Sequence, residues 1–154
     1  MSTKPLQPGP HYEAMLQLLR TAETLWNSSR IFFSRWDLSP SQFNVLNVLR
    51  DSAEGLSQTE LSRELLTHRS NVTGLVDRLE ERKLVKRQSV PDDRRAYRVV
   101  LTEGGHKLLA EILPIFYQAA EDVWDGVSAK RAVQLNEELL RINAQAEAIA
   151  LKHS

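Results

Sequence analysis

The sequence contains no cysteine. That single absence excludes disulfide scaffolds, thiolate metal sites, cysteine nucleophiles and thiol-based redox sensing. No stretch approaches the roughly 18 uncharged apolar residues needed to span a bilayer, and Met1–Pro10 carries no apolar segment of the signal-peptide kind. Action in the cytoplasm, with no membrane partner, is therefore expected. GxSxG, P-loop and GxGxxG patterns are also missing, and the carboxylates show no pairing that sets an acid against a base. His11, His68, His106 and His153 are scattered, without H-x₃-H or HExxH spacing. The chain is not expected to be an enzyme, to bind a cofactor or to hold a metal. What is present suits one globular domain: 154 residues, 42% hydrophobic and 26% charged, enough to build a core and stay soluble.

Formal net charge is zero, with 20 basic against 20 acidic residues, which taken alone argues against a nucleic-acid partner. The distribution reverses that reading. Residues 1–62 hold 5 Lys/Arg and 6 Asp/Glu, residues 63–98 hold 10 and 6, and residues 103–154 hold 5 and 8. Half of the positive charge thus falls within 36 residues. Segregation of this kind is the electrostatic footprint expected for a polyanion, with acidic flanks that keep the remaining surface off it. The bland alternative is a solvated basic hairpin.

Hydrophobic spacing organises the rest. Residues 1–10, with Pro5, Pro8, Gly9 and Pro10, read as a mobile arm. From Glu13, apolar residues recur at three- and four-residue steps through Met15, Leu18, Leu19, Trp26 and Phe33, which predicts a helix to about Trp36. Ser39-Pro40-Ser41-Gln42 and Ser57-Gln58-Thr59-Glu60 are helix starts of the capping-box type. The second opens a short helix through Leu65. Thr67 or His68 can cap the next, running to about Arg82 with Val72, Leu75, Val76 and Leu79 on one face. Val85 to Val90 and Ala96 to Leu101 are β-prone runs joined by Pro91-Asp92-Asp93-Arg94, a turn that should place Arg94 and Arg95 near the tip of a hairpin. Thr102 and Ser128 then cap two long helices. The expected fold is mainly α with a small β-hairpin wing: a winged helix-turn-helix with N- and C-terminal dimerisation helices. Its parts are a lobe over residues 38–102 and dimerisation helices over 11–36 and 103–151, intertwined as one domain.

A winged helix-turn-helix gives these residue types a physical purpose on double-stranded DNA. The second helix of the pair enters the major groove, where Ser70, Thr73 and Gly74 allow close approach, Asn71 can pair with adenine and Arg69 can reach guanine or phosphate. Arg78 lies on the same outer face, His68 suits a cap or phosphate contact, and Gln58 and Thr59 of the preceding helix present to phosphate. Lys86, Arg87 and Arg98 line the hairpin, and Asp93, Arg94 and Arg95 occupy its end, where guanidinium can enter the minor groove.

The stretches Leu56-Ser57-Gln58-Thr59-Glu60-Leu61, Ser70-Asn71-Val72-Thr73-Gly74-Leu75-Val76-Asp77-Arg78-Leu79-Glu80, Pro91-Asp92-Asp93-Arg94-Arg95 and Val100-Leu101-Thr102-Glu103-Gly104-Gly105 occur in order, and with them the chain resembles the MarR family of bacterial transcriptional regulators. The resemblance runs from about Leu16 to Leu151. It implies that Asp93 orients Arg95 for the minor groove, and that the chain forms a two-fold homodimer through both termini. Two recognition helices would then lie about one DNA turn, ~34–36 Å, apart over an inverted repeat. One departure stands out. Lys83 occupies the place where the family usually has glycine, just past the recognition helix, where a left-handed conformation is common.

The resemblance also implies a small aromatic or anionic effector. Trp26, Arg30, Phe33 and Trp36 form the candidate site, an aromatic wall with one cation. Aromatics at helical spacing are more often core residues, and that reading stands beside it. The functional expectation is a DNA-binding regulator, a repressor relieved by a ligand. The competing class is a protein-interaction module on the same scaffold, for which no steep salt dependence with DNA is expected.

Overall fold

Ser39 and Ser57 each start a helix through the same local exchange of hydrogen bonds. The Ser39 hydroxyl accepts from the Gln42 N–H at 3.1 Å while the Gln42 side chain accepts from the Ser39 N–H at 2.8 Å. Ser57 and Glu60 repeat the arrangement at 3.2 and 2.7 Å. Each box satisfies donors that a helix N-terminus would otherwise leave unpaired. The computed structural model describes residues 7–65, 71–91 and 93–153, without the side chains of residues 94, 95 and 153. The chain divides into two compact units, Met1–Leu109 and Ala110–Ser154.

In the first unit, α1 spans Pro10–Phe33, with proline in its first turn. It tightens into a 3₁₀ turn over Ser34–Trp36 and stops at Asp37, which is left-handed at φ 52°. The α-helical pattern therefore ends three residues before Trp36, where the sequence spacing had extended it. Phe33 is buried and stacks on Phe43 of α2 (Pro40–Arg50), with ring centroids 4.1 Å apart. After α3 (Gln58–Glu64) comes α4 (Val72–Glu81), with Asn71 at its N-cap. The expected cap at Thr67 or His68 lies outside the described residues. Leu46 and Leu49 of α2, Leu61 of α3, and Val76 and Leu79 of α4 are each 1% exposed or less. They close the core beneath the helix pair, and cutting any one to alanine should cost about 2–5 kcal/mol.

The turn after α4 determines how the hairpin leaves it. The Lys83 N–H donates to the Glu80 carbonyl at 2.8 Å and the Leu84 N–H to the Leu79 carbonyl at 2.9 Å, a Schellman closure with both leucines buried. Lys83 takes the left-handed position at φ 57°, so the departure noted in the sequence becomes backbone strain on the order of 1 kcal/mol. Strand β1 (Val85–Val90) then pairs antiparallel with β2 (Asp93–Leu101). At the base, Leu56 bridges Val99 through N–H···O bonds of 3.0 and 2.8 Å. Gly55 makes that approach possible: it has φ +73°, and a Cβ there would lie 2.3 Å from the Val99 carbonyl oxygen.

The hairpin differs from expectation at its tip. Val90 already pairs with Asp93, after an irregularity at Ser89/Val90, so the connection is two residues rather than four. Arg94 and Arg95 are consequently strand residues of β2, not loop residues. The ladder extends because the bulge absorbs the offset that a longer turn would otherwise have taken up.

Helix α5 (Glu103–Val123) begins in the first unit and continues into the second, which it forms with α6 (Ala129–His153). The Ser128 hydroxyl accepts from the Arg131 N–H at 3.4 Å at the start of α6. No residue from 129 to 152 is buried, although Val133, Leu140, Ile142 and Ile149 are each more than half exposed at helical spacing. Among the described residues, no helix is long and apolar enough to cross a membrane.

Candidate nucleic-acid interface

Helix α4 separates its two faces cleanly. Val72, Leu75, Val76 and Leu79 are buried, while Asn71, Thr73, Asp77, Arg78 and Glu81 are exposed. Thr73 stands at the second helical position and Gly74 at the third, half-buried. Sequence reasoning made Gly74 small for the sake of DNA. The structure adds a nearer reason, since a Cβ there would meet Asn71 Oδ1 at 2.6 Å. On α3, Thr59 is exposed and Gln58 half-buried. His68, Arg69 and Ser70 lie outside the described residues.

Gln58 is not simply a solvent-facing phosphate ligand. Its amide donates to the Thr73 hydroxyl, and its carbonyl oxygen accepts from the Tyr97 hydroxyl at 2.6 Å. This joins α3, α4 and the hairpin. Tyr97 was absent from the sequence-based set. Its signal was available in strand alternation: Tyr97 faces Ser89, so it shares a face with Arg87 diagonally across the ladder. The Arg87 guanidinium lies 5.3 Å from the Tyr97 ring centroid.

The basic footprint is smaller than the count of charges suggested. Arg87 pairs with Asp77 at 2.5 Å and with Glu80, both on α4. Burial of the guanidinium opposes its charge, but hydrogen bonds with Asp77, Tyr97 and Glu80 outweigh it and raise the pKa above the ordinary arginine value. Arg98 donates to the Gly55 carbonyl at 2.8 Å and pairs with Glu60 at 3.2 Å. Arg82 binds the carbonyls of Asp37 and Trp36. These three arginines brace the lobe: Arg87 and Arg98 line the hairpin as expected, but their charge is taken up by partners on other elements. Lys86 is exposed on β1, Arg78 on α4 and Arg63 on α3. Asp93 is exposed at the start of β2, beside the backbone positions of Arg94 and Arg95.

The proposed effector cluster divides. Phe33 is 2% exposed and stacked on Phe43, so it is a core residue; helical spacing turned it toward α2 rather than into a pocket. Trp26 and Trp36 are half-buried, and Trp36 packs on Phe32 with centroids 5.4 Å apart. Arg30 is exposed and borders a surface depression of about 470 Å³ with Asn27, Ile31 and Ser34. Of the four predicted residues, only Arg30 lines it.

A sequence profile of the MarR family matches residues 36–96, which run from the turn after α1 into β2. Over that stretch the chain is of the MarR type. The chain is similar to the transcriptional repressor MprA of Escherichia coli K12, 34% identical over 82 residues, covering 53% of this chain and 47% of that protein. The chain thus spans about half the length of the curated relatives it matches. Among solved structures it is similar to Sco3205, a MarR family transcriptional regulator of Streptomyces coelicolor in complex with DNA. The TM-score is 0.79 at 25% identity, covering 92% of this chain and 91% of that one. It is also similar to BpsR of Bordetella bronchiseptica, whose DNA binding is regulated by 6-hydroxynicotinic acid. That match has a TM-score of 0.68 at 25% identity and covers 82% of this chain and 98% of the other. The fold of the chain is a winged helix-turn-helix, with α3 and α4 as the helix pair and β1–β2 as the wing.

Proposed function

We propose that this chain is a sequence-specific, double-stranded DNA-binding transcriptional regulator that works in the cytoplasm as a homodimer on an inverted repeat. The observation that carries the reading is the exposed outer face of α4, small and polar at Asn71 and Thr73, held beside a wing by shared side-chain bonds. A face of that chemistry suits base edges in a major groove, with the wing following the backbone into the minor groove. The likeness to a MarR family regulator in complex with DNA supports it. In this reading Asn71 and Thr73, with Ser70 and Gly74, meet base edges. Thr59, His68, Arg69, Arg78 and Lys86 meet phosphate or guanine, and Asp93, Arg94 and Arg95 serve the minor groove.

Residues 38–102 form the DNA-binding lobe in this reading, and residues 11–36 and 103–151 form the dimer. The exposed apolar residues along α6, and Met15, Leu19 and Ile31 on α1, support self-association, because such stripes are sticky in water. Repression relieved by a small aromatic or anionic ligand is the regulatory part of the proposal, supported by the likeness to BpsR, with Arg30 as the chain's cation for an anionic group.

The test is selection from a random duplex pool, followed by binding of the winning duplex across a salt series. An inverted repeat with log K falling steeply against log salt supports a dimeric DNA reader. No enrichment, with weak and salt-insensitive binding, overturns it in favour of a protein-interaction module.

A further inference from the structure

Gln58 connects two surfaces that the DNA-binding reading above uses separately. The Tyr97 hydroxyl donates to Gln58 Oε1 at 2.6 Å, and Gln58 Nε2 donates to Thr73 Oγ1. The polarity of this chain is decided at its wing end. Arg87 is held by Asp77 and Glu80 with its guanidinium over the Tyr97 ring. A guanidinium has donors only, so it cannot take the phenol's one proton, which goes to Gln58 Oε1. An amide whose oxygen faces the phenol turns its NH₂ toward Thr73. The Thr73 oxygen is then an acceptor toward Gln58, and its own O–H points elsewhere from an exposed position on α4.

We propose that Arg87, Tyr97 and Gln58 form a directional relay that presets Thr73 as a hydrogen-bond donor on the recognition helix, making Tyr97 and Gln58 positioning residues for base readout. The proposal rests on the DNA-binding reading and deepens it. A donor at this place matches guanine O6 or N7, adenine N7 or thymine O4, and mismatches the N4 amino group of cytosine. The wing thereby influences major-groove specificity without touching the base.

The test compares Tyr97→Phe, Thr73→Val and Thr73→Ser on the selected duplex and its single-base variants. Tyr97→Phe keeps the ring beneath Arg87 and removes only the donor. Both it and Thr73→Val should relax discrimination at the same base pair by roughly three- to tenfold, the double variant by no more, while Thr73→Ser retains it. The salt slope should not change, because no phosphate contact is lost. Uniform weakening on every duplex, or relaxation at a base pair different from that of Thr73→Val, overturns the relay. Without DNA, the Gln58 side-chain amide resonance should move in Tyr97→Phe; an unmoved resonance also overturns it. A wild-type chain that selects no duplex overturns the DNA reading and the base-readout step with it, and the resonance alone then reports the internal chain.

Discussion

The Thr102 hydroxyl donates to the Lys83 carbonyl oxygen at 2.6 Å and accepts from the Gly105 N–H at 3.1 Å, so one oxygen atom joins the turn after the recognition helix to the start of α5. It is at once an N-cap and a tertiary strut. Thr102→Val preserves the shape and removes both bonds. We expect a loss of about 1–2 kcal/mol, read as a lower urea midpoint with an unchanged m-value.

Lys83 sits in a left-handed conformation within an otherwise complete helix closure. Lys83→Gly should remove the Cβ strain, while a more flexible unfolded chain gives part of that gain back. The expected net stabilisation is about 0.5–1 kcal/mol, checked by thermal unfolding. A destabilised variant would show that the lysine side chain makes a compensating contribution.

Glu60 gives the fold an acid dependence. Its carboxylate is held below the ordinary glutamate pKa, first by the Ser57 backbone N–H, then by the Ser57 side chain, with Arg98 and Arg63 adding to the effect and desolvation opposing it. A depressed folded pKa means the stabilisation is present above the unfolded value of about 4.3 and is lost as pH falls through the folded one. Glu60→Gln keeps a capping-box acceptor and should flatten that part of the stability-against-pH curve below about pH 4.3. An unchanged slope would remove Glu60 from the account.

Two substitutions separate positioning from readout on DNA. Arg95→Ala should weaken binding to all duplexes and lower the salt slope by about one unit. Asn71→Ala should instead relax preference at one base pair by ~1–3 kcal/mol with little change in slope. Quantitative binding at several salt concentrations distinguishes them, and unchanged affinity in both would sink the interface as drawn.

Self-association is tested on α6. Ile142 is 52% exposed and Leu135 44% exposed in the single chain. Replacing both with glutamate should convert a dimer to a monomer in light scattering while leaving the far-ultraviolet helical signal largely intact, since neither side chain is part of a core. A doubly substituted chain that still elutes as a dimer would move the interface elsewhere.

Much of the fold was readable because its signals are local. Ser39, Ser57, Thr102 and Ser128 each bond a group three residues away, and such pairs can be recognised in a string of letters. The inward faces of α3 and α4 follow from period alone. The site was less legible. Arg87 and Arg98 counted toward the positive charge of residues 63–98 because counting cannot see acceptors on other elements, and Phe33 stood between a pocket reading and a core reading because spacing does not say which helix it faces. The turn at Pro91 was read as longer than it is, since a bulge on the opposite strand leaves little local trace.

Sequence alone determined where α2, α3, α5 and α6 start, which faces are apolar and that positive charge concentrates between residues 63 and 98. Those properties depend on neighbours within one or two turns of chain. Tertiary structure decided which charges remain outward and which hydroxyl is poised to donate. The Arg82–Trp36 and Tyr97–Gln58 bonds join residues 46 and 39 positions apart, and only folding brings such donors and acceptors within 3 Å.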